Sequence, residues 1–158
     1  MESMINIRTH LKQDDNGLWK LKYDTIRNIN TRDYSLAQVK SWAPTIKPPE
    51  TWAARISAMQ PFVAEINGQI VGFADLQSDG YIDHFFCHVD FQGQGVGNAL
   101  MNRIFEQAQE DHLERLYSQV SITAKPFFEH FGFEVIKQQQ VDVRGQVLIN
   151  YLMALSFG

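Results

Sequence analysis

The chain has 158 residues, of which 44% are hydrophobic and 20% are charged, as in ordinary globular proteins. This length predicts one domain that spans residues 1–158 and buries a sizeable core. The formal net charge of -4 argues against nucleic acid as a partner, because a nucleic-acid surface needs clustered excess lysine and arginine. The single cysteine, Cys87, excludes an intramolecular disulfide and is typical of a reducing compartment.

No stretch of the sequence resembles a targeting or membrane segment. The N-terminal residues lack the apolar run of a signal peptide, and no segment approaches the ~20 apolar residues of a transmembrane helix. We therefore expect a cytoplasmic protein without membrane contact. His88 has no other histidine or cysteine at metal-ligand spacing, so no metal site is expected.

The first third of the chain predicts one strand followed by three helices. Met4 to Arg8 alternates apolar and polar residues, which indicates a short strand. Capping side chains and apolar residues at helical spacing indicate the helices. They are a helix after Asp14-Asp15-Asn16 that contains Leu18, Leu21, Tyr23 and Ile26, a short helix Leu36 to Trp42 capped by Ser35, and a helix Glu50 to Met59.

The middle of the chain has a strand-like period. Phe62 to Ile66 and Ile70 to Leu76 flank Asn67-Gly68, which is a strong signal for a β-hairpin. A turn at Asp79-Gly80 then leads into a third apolar run, Tyr81 to Val89. We expect three consecutive antiparallel strands here.

The remainder of the chain alternates helices and strands. The apolar stripe of Leu100, Ile104 and Ala108 predicts a helix that packs on a sheet. The whole order predicts a mixed α/β arrangement around one sheet. The predicted elements are a helix Asn98 to Asp111, a strand Leu116 to Val120, a helix Ala124 to Phe131, and strands Phe133 to Lys137, Val141 to Val143 and Val147 to Leu155.

Between the third strand and the long helix lies the glycine-rich stretch Gln92 to Gly97, with sequence Gln-Gly-Gln-Gly-Val-Gly. Three glycines leave little side-chain bulk, so backbone N–H groups can converge at the helix N-terminus and bind a phosphate. A Walker P-loop is excluded because Asn98-Ala99 follows, without the lysine and hydroxyl of that motif. The glycine spacing and the preceding hairpin exclude a Rossmann dinucleotide-binding unit.

This loop resembles the acetyl-CoA motif of the GCN5-related N-acetyltransferase (GNAT) family, Gln/Arg-x-x-Gly-x-Gly/Ala, with Gln92, Gly95 and Gly97 in the matching places. The run Ser121 to Phe133 is similar to the family's second cofactor-side motif, which usually ends in Tyr-x-x-x-Gly-Phe. This run, with Tyr34 to Trp42, resembles a bacterial subfamily of unassigned substrate. The resemblance implies an α/β (α+β) GNAT fold with a central mixed, mostly antiparallel sheet of about seven strands, splayed at the fourth and fifth strands and flanked by about four helices.

The resemblance also implies a function: direct transfer of an acetyl group from acetyl-CoA to a primary amine of a small molecule or peptide. Loop amides would hold the pyrophosphate, and the preceding strand would pair with the pantetheine arm. A free N–H near Phe86 or Cys87 would polarise the thioester carbonyl. The implied cofactor-binding residues are Phe85, Phe86, Cys87, Val89, Gln92, Gly93, Gln94, Gly95, Val96, Gly97, Asn98, Ser121, Phe127 and Phe128.

The acetyl acceptor calls for a base, because an attacking amine must be neutral and a lysine-like amine has a pKa of about 10.4. Asp83 is the first candidate, since a charge inside an apolar strand is unusual, and His84 is the second. Neighbours on a regular strand point to opposite faces, so only one is expected to face the site directly. Both residues have structural alternatives. Asp83 would cap a turn or pair with a cation, and His84 would be a core histidine whose hydrogen bonds are satisfied. Asp75 is a weaker candidate, expected at the solvent face.

The leaving thiolate has no obvious acid. Phe128 stands where many family members carry a tyrosine that is thought to protonate it. Because a thiol has a pKa of about 8.5, loss of that acid need not abolish activity, and water, Ser121 or Tyr151 are alternative proton sources. Ser121 is equally expected as a helix N-cap. Cys87 is either a nucleophile for a covalent acetyl intermediate or, as is more common, a small core residue.

The acceptor groove would lie between the early helices and the final strands, with Tyr23, Arg27, Tyr34 and Trp42 as candidate substrate residues. The implied partner is an amine of a small molecule or peptide, bound by a monomer or homodimer. Two other functions remain open. Phe128 favours a non-catalytic acyl-CoA-binding sensor or partner module, and the net charge disfavours an acetyltransferase that acts on aminoacyl-tRNA.

Overall fold

The computed structural model describes residues 4–157, and this part of the chain contains eight strands and five α-helices. In chain order they are β1 Ile5–Thr9, α1 Asp15–Asn28, α2 Leu36–Trp42, α3 Trp52–Met59, β2 Phe62–Ile66, β3 Gln69–Ala74, β4 Tyr81–Ile82, β5 Phe85–Cys87, α4 Val96–Glu110, β6 Arg115–Ser121, α5 Lys125–His130, β7 Glu134–Val143 and β8 Gln146–Ser156.

The strands form two four-stranded sheets, in the orders β1-β2-β3-β5 and β4-β6-β8-β7. Every neighbouring pair is antiparallel except β4 and β6, which are parallel. The predicted α+β GNAT fold, mixed and mostly antiparallel, is confirmed. The counts are eight strands where about seven were expected and five helices where about four were expected.

The predicted single strand Tyr81 to Val89 is wrong, because the chain breaks at Asp83-His84. The carboxylate of Asp75 is fully buried, and its Oδ1 accepts hydrogen bonds from the N–H groups of Asp83 and His84, both at 2.8 Å. The expectation that Asp75 faces solvent is therefore also wrong. The break divides one run between two sheets, since β4 pairs only with β6 and β5 pairs only with β3 among residues 4–157.

As a result β5 and β6 are not paired, and a gap separates them. This is the splay that was expected between the fourth and fifth predicted strands, Tyr81 to Val89 and Leu116 to Val120. Two boundaries also differ from the predictions. α4 begins at Val96 rather than at Asn98. The segments Phe133 to Lys137 and Val141 to Val143 belong to one strand, β7, whose register shifts between Val135 and Lys137.

The helices pack on opposite faces of the first sheet. Neighbouring strand residues point to opposite faces, and Val63 packs with α1 and α3 while Ala64 packs with α4. The predicted stripe of α4 is confirmed, because Leu100, Ile104 and Ala108 are fully buried. One face of β5 is thereby covered by α1, and the loop that starts α4 lies at its end.

Candidate active site

A cleft of about 620 Å³ opens at the gap between β5 and β6. Most of the predicted cofactor residues line it, but Val89 and Gln94 do not. Of the predicted catalytic residues, Asp83 and His84 line the cleft and Tyr151 lies outside it. Of the predicted acceptor residues, Tyr34 and Trp42 line it, and Tyr23 and Arg27 do not.

The glycines of the loop meet two different requirements. Gly93 and Gly95 have φ angles of 73° and 87°, in the left-handed region that side chains other than glycine rarely adopt. Gly97 has an ordinary backbone, but a Cβ there would lie 2.8 Å from Cε1 of Phe127. Gly97 therefore lets α5 approach the start of α4.

The start of α4 presents free donors to the cleft. The first helical hydrogen bond runs from Ala99 N to Gly95 O at 3.0 Å, so the N–H groups of Val96, Gly97 and Asn98 have no helical acceptor. These groups and the helix dipole favour an anion at this position. The Gln92 side chain is used elsewhere, because its Nε2 donates to the carbonyl oxygens of Cys87 and His88 at 2.9 and 3.2 Å.

The edge of β5 that faces the gap carries N–H groups without a strand partner. His88 N donates to Val71 O, and His84 O accepts from Asp75 N, so the even-numbered residues here turn their backbone groups toward β3. Strand alternation turns those of Phe85 and Cys87 toward β6, which does not pair with β5. Cys87 O accepts from Thr25 Oγ1 of α1 at 2.9 Å. Phe86 was the other residue whose N–H was expected to polarise the thioester carbonyl. Its N–H group points toward β3 and away from the gap.

The opposite wall of the cleft comes from the end of β6 and from α5. Ser121 Oγ accepts from Ala124 N at 3.0 Å, in the turn that leads into α5. The N-cap of α5 is Ala124 and has no side-chain cap, so the alternative role of Ser121 as a helix N-cap is wrong. Thr123 also lines the cleft, and its buried Oγ1 has no hydrogen-bond partner within residues 4–157. Phe127 and Phe128 pack on Phe85, with ring centroids 5.2 and 5.7 Å apart.

Asp83 and His84 both face the cleft, contrary to the expectation that only one would. The break held by Asp75 removes the regular alternation, and Asp83 Oδ2 lies 3.2 Å from His84 Nδ1. Arg55 of α3 donates to the same Oδ2 at 2.9 Å. His84 and Arg55 together hold the pKa of Asp83 well below its usual range.

His84 is a neutral imidazole near pH 7. It is 2% exposed, and burial lowers its pKa to about 4, despite the Asp83 carboxylate beside it. Nζ of Lys22, on α1, lies 3.0 Å from Nε2. An ammonium can only donate, so this contact makes Nε2 the acceptor and places the proton on Nδ1. Nδ1 lies near the Asp83 carboxylate but outside hydrogen-bond geometry.

Lys22 is the functional candidate that the sequence analysis missed. Its Nζ lies 5.5, 5.3 and 6.0 Å from the ring centroids of Trp19, Trp52 and Phe86. Burial and the charge of Arg55 lower the pKa of Lys22 to about 8. Trp19 and Lys22 are three residues apart on one helix, but the other rings come from distant elements, so no local pattern could have indicated this cluster.

The remaining predicted residues have structural partners. The buried Tyr34 hydroxyl donates to Ile149 O and accepts from Ile122 N. Arg27 donates to Ala43 O at 2.7 Å and lies over the ring of Tyr23. Lys125 lies over the ring of Tyr151, with Nζ 5.4 Å from its centroid.

The thiol of Cys87 is a poor nucleophile in this setting. It is partly buried, and burial raises its pKa to about 12, so very little thiolate forms near pH 7. Covalent acetyl transfer through Cys87 is therefore disfavoured.

Over residues 4–157, no group of three or more His, Cys, Asp or Glu side chains is placed to hold a metal ion. No helix in this range is long and apolar enough to cross a membrane.

Comparison with known proteins agrees with the fold. Residues 30–155 match the family model for an acetyltransferase (GNAT) domain. YafP of Escherichia coli K12, described as an uncharacterized N-acetyltransferase, is 33% identical over 149 residues, 94% of either chain.

Solved structures agree as well. The crystal structure of a GCN5-related N-acetyltransferase from Rhodopseudomonas palustris has a TM-score of 0.92 and 27% identity, over 99% of this chain and 98% of its own. YncA of Salmonella typhimurium, solved with its cofactor acetyl-CoA, shares the fold with a TM-score of 0.66 and 19% identity, over 98% of this chain and 94% of its own. The predicted resemblance is confirmed, and the chain belongs to the GNAT family of N-acetyltransferases.

Proposed function

We propose that this chain transfers an acetyl group from acetyl-CoA directly to a primary amine of a small molecule or peptide. One observation carries the proposal: the glycine loop at the start of α4 and the unpaired edge of β5 meet in one cleft. The loop offers N–H groups to an anion, and β5 offers those of Phe85 and Cys87 to an extended chain.

The residues of the cleft suit an acyl-CoA. The N–H groups of Val96, Gly97 and Asn98 would bind the pyrophosphate, and those of Phe85 and Cys87 would pair with the pantetheine arm and polarise the thioester carbonyl. The buried hydroxyl of Thr123 is a further free donor along the cleft. Acetyl-CoA would supply an activated thioester, whose C–S bond breaks as the C–N bond to the amine forms.

Asp83 is the residue that we assign to the acceptor amine. Its Oδ2 contacts Arg55 and His84, while its Oδ1 has no hydrogen-bond partner among the described residues. Oδ1 would accept a hydrogen bond from the amine and orient it. Since the pKa of Asp83 is held well below its usual range, the carboxylate is a weak base, and water would take the proton of the amine as the C–N bond forms.

The thiolate would leave without a tyrosine acid. Phe128 is 2% exposed and packs on Phe85 and Phe133, and Tyr151 lies outside the cleft. Because a thiol has a pKa of about 8.5, a proton from water suffices near neutral pH. Direct transfer is favoured over a covalent intermediate, since Cys87 stays a thiol.

The proposal is tested by acetyl-CoA binding and turnover. Calorimetry with CoA should show binding, and incubation with acetyl-CoA and a panel of primary amines should release free thiol faster than acetyl-CoA alone. CoA binding without thiol release for any amine would contradict transfer. It would favour the sensor function, for which Phe128 in place of tyrosine is the supporting observation.

The role of Asp83 is tested by Asp83→Asn. We expect kcat/KM for the best amine to fall about 100-fold, because the hydrogen bond between the amine and a charged carboxylate is lost. Asp24→Asn is the matched control, since Asp24 lies on the exposed side of α1 and pairs with Lys20. Full activity of Asp83→Asn, with normal CoA affinity, would remove Asp83 from the proposed mechanism.

A further inference from the structure

The ammonium group of Lys22 lacks a carboxylate partner. Within residues 4–157, no Asp or Glu oxygen lies within 4.0 Å of its Nζ, and its hydrogen bond to neutral His84 uses one donor of three. The three aromatic rings around it are favourable for a cation but accept no strong hydrogen bond. Two donors are left for a ligand.

The nearest carboxylate does not neutralise this charge. Asp83 is on the far side of the His84 ring, and its Oδ2 is engaged by Arg55. Lys22 and Arg55 are the cationic residues that line the cleft, whereas Asp83 is its one acidic residue within the described part of the chain. This end of the cleft is therefore positive overall, and a pKa of about 8 leaves Lys22 mostly protonated at pH 7.

From this arrangement we infer that the acetyl acceptor is an amino acid or similar small molecule, whose carboxylate binds Lys22 while its amine binds Asp83 Oδ1. This inference rests on the proposed function and names its substrate class. A polycationic acceptor such as a polyamine or a lysine-rich peptide is disfavoured, because the described lining offers one carboxylate against two cations.

The spacing of the two charges suits such a molecule. Lys22 Nζ contacts Nε2 and Asp83 Oδ2 contacts Nδ1 of the same imidazole, at 3.0 and 3.2 Å. The cation and the anion are thus separated by one ring and two contacts of hydrogen-bond length. A ligand with an amine and a carboxylate a few bonds apart can reach both groups at once. Phe86, beside Lys22, lines the cleft and provides an apolar wall.

The first experiment uses the unmodified protein and matched acceptor pairs. Acetyl-CoA-dependent thiol release is measured with each free proteinogenic amino acid and with the amide of its α-carboxyl group. For the best pair we expect kcat/KM to favour the acid by about tenfold or more, since the amide keeps an accepting oxygen but loses the negative charge that pairs with Lys22. Putrescine and spermidine are the polycationic probes, and faster turnover with either would overturn the inference.

The second experiment assigns the preference to Lys22. In Lys22→Met the acid-to-amide ratio should fall to about one, while CoA affinity stays within about twofold. Lys20→Met is the matched control, because Lys20 is two residues away on the exposed side of α1 and pairs with Asp24. A preference that survives Lys22→Met, or a CoA affinity reduced tenfold, would overturn the role given to Lys22.

Binding of products separates failure of this inference from failure of the proposed function. Calorimetry on the CoA-loaded protein compares each N-acetyl amino acid with its amide. Tighter binding of the acid, lost in Lys22→Met, supports the anion site even if no thiol is released. Thiol release without any preference for a carboxylate would keep the transferase and overturn the substrate class.

Discussion

The two ends of the cleft offer different chemical groups to a ligand. At the loop end, the groups available to a ligand are backbone N–H donors of α4 and β5, and side chains such as Gln92 and Ser121 hold the backbone in place. At the α1 end, the available groups are side chains, namely Lys22, Arg55 and Asp83 around His84.

Under the proposed function, this difference would separate binding of the cofactor from binding of the acceptor. Backbone donors arranged at a helix N-terminus suit any phosphate-bearing cofactor and require only that glycine leave room. Charged side chains bind acceptors that carry complementary charges. The class of acceptor that binds therefore depends on a few residues. We expect substitutions at the loop to abolish cofactor binding and substitutions at the α1 end to change acceptor choice.

The largest effect is expected from Gly95→Glu at the loop end. A charged side chain in the anion site should weaken CoA binding by about 1,000-fold or more, measured by calorimetry. The control is Gly145→Glu in the turn between β7 and β8, which has the same left-handed φ of 88° and lies outside the cleft. Equal loss of affinity in both variants would mean that backbone strain, rather than the loop, is responsible.

The next largest effect is expected at Asp75, which separates the two ends by breaking the strand. Asp75→Leu leaves the N–H groups of Asp83 and His84 buried without an acceptor, and should lower the free energy of unfolding by about 3 kcal/mol. Asp75→Asn retains an accepting oxygen and should lose much less. Urea denaturation measures the free energy of unfolding of both variants. Equal losses would contradict the role of Asp75 as the acceptor for these two N–H groups.

The same position has a defined pH dependence. Burial raises the pKa of Asp75 from 3.8 to about 6, so the folded protein binds this proton more tightly than the unfolded chain does. The stability that protonated Asp75 contributes is present below about pH 4 and is lost as the pH rises through 6. Relative to Asp75→Asn, the native protein should therefore become less stable across this window, by about 3 kcal/mol. A constant difference would refute the raised pKa.

A smaller effect is expected from the pH dependence of the anion site. Because the pKa of Lys22 is about 8, the affinity for an N-acetyl amino acid should fall about tenfold between pH 7 and pH 9. Two groups that face Lys22 keep one charge state in this range, because the pKa of Asp83 is lowered and that of His84 is lowered to about 4. The other charged neighbours are the guanidinium groups of Arg55 and Arg144. Calorimetry across this range measures the change, and Lys22→Met should remove it.

The smallest effect is expected from Tyr151→Phe. Tyr151 was predicted as a proton source, but it lies outside the cleft and under Lys125. We expect kcat to stay within about twofold, since a group that does not reach the thiolate cannot protonate it. A loss of kcat of tenfold or more in steady-state assays would support Tyr151 as the proton donor to the thiolate.

The sequence by itself determined the loop end of this protein. The glycines at 93, 95 and 97 report directly on backbone conformation and close approach, so Gln92 to Gly97 could be assigned without coordinates. Hairpin and helix signals are equally local, and with the motif resemblance they predicted the family and the splayed sheet.

Only the tertiary structure decided the α1 end. The break at Asp83-His84 depends on the Asp75 carboxylate eight residues away, and strand patterning alone predicts an unbroken run. The environment of Lys22 combines Trp19, Trp52, His84 and Phe86, which three separate elements bring together. A pKa depends on burial and on neighbours that are distant in sequence, so the charge state of this cluster follows from the fold and cannot be read from local pattern.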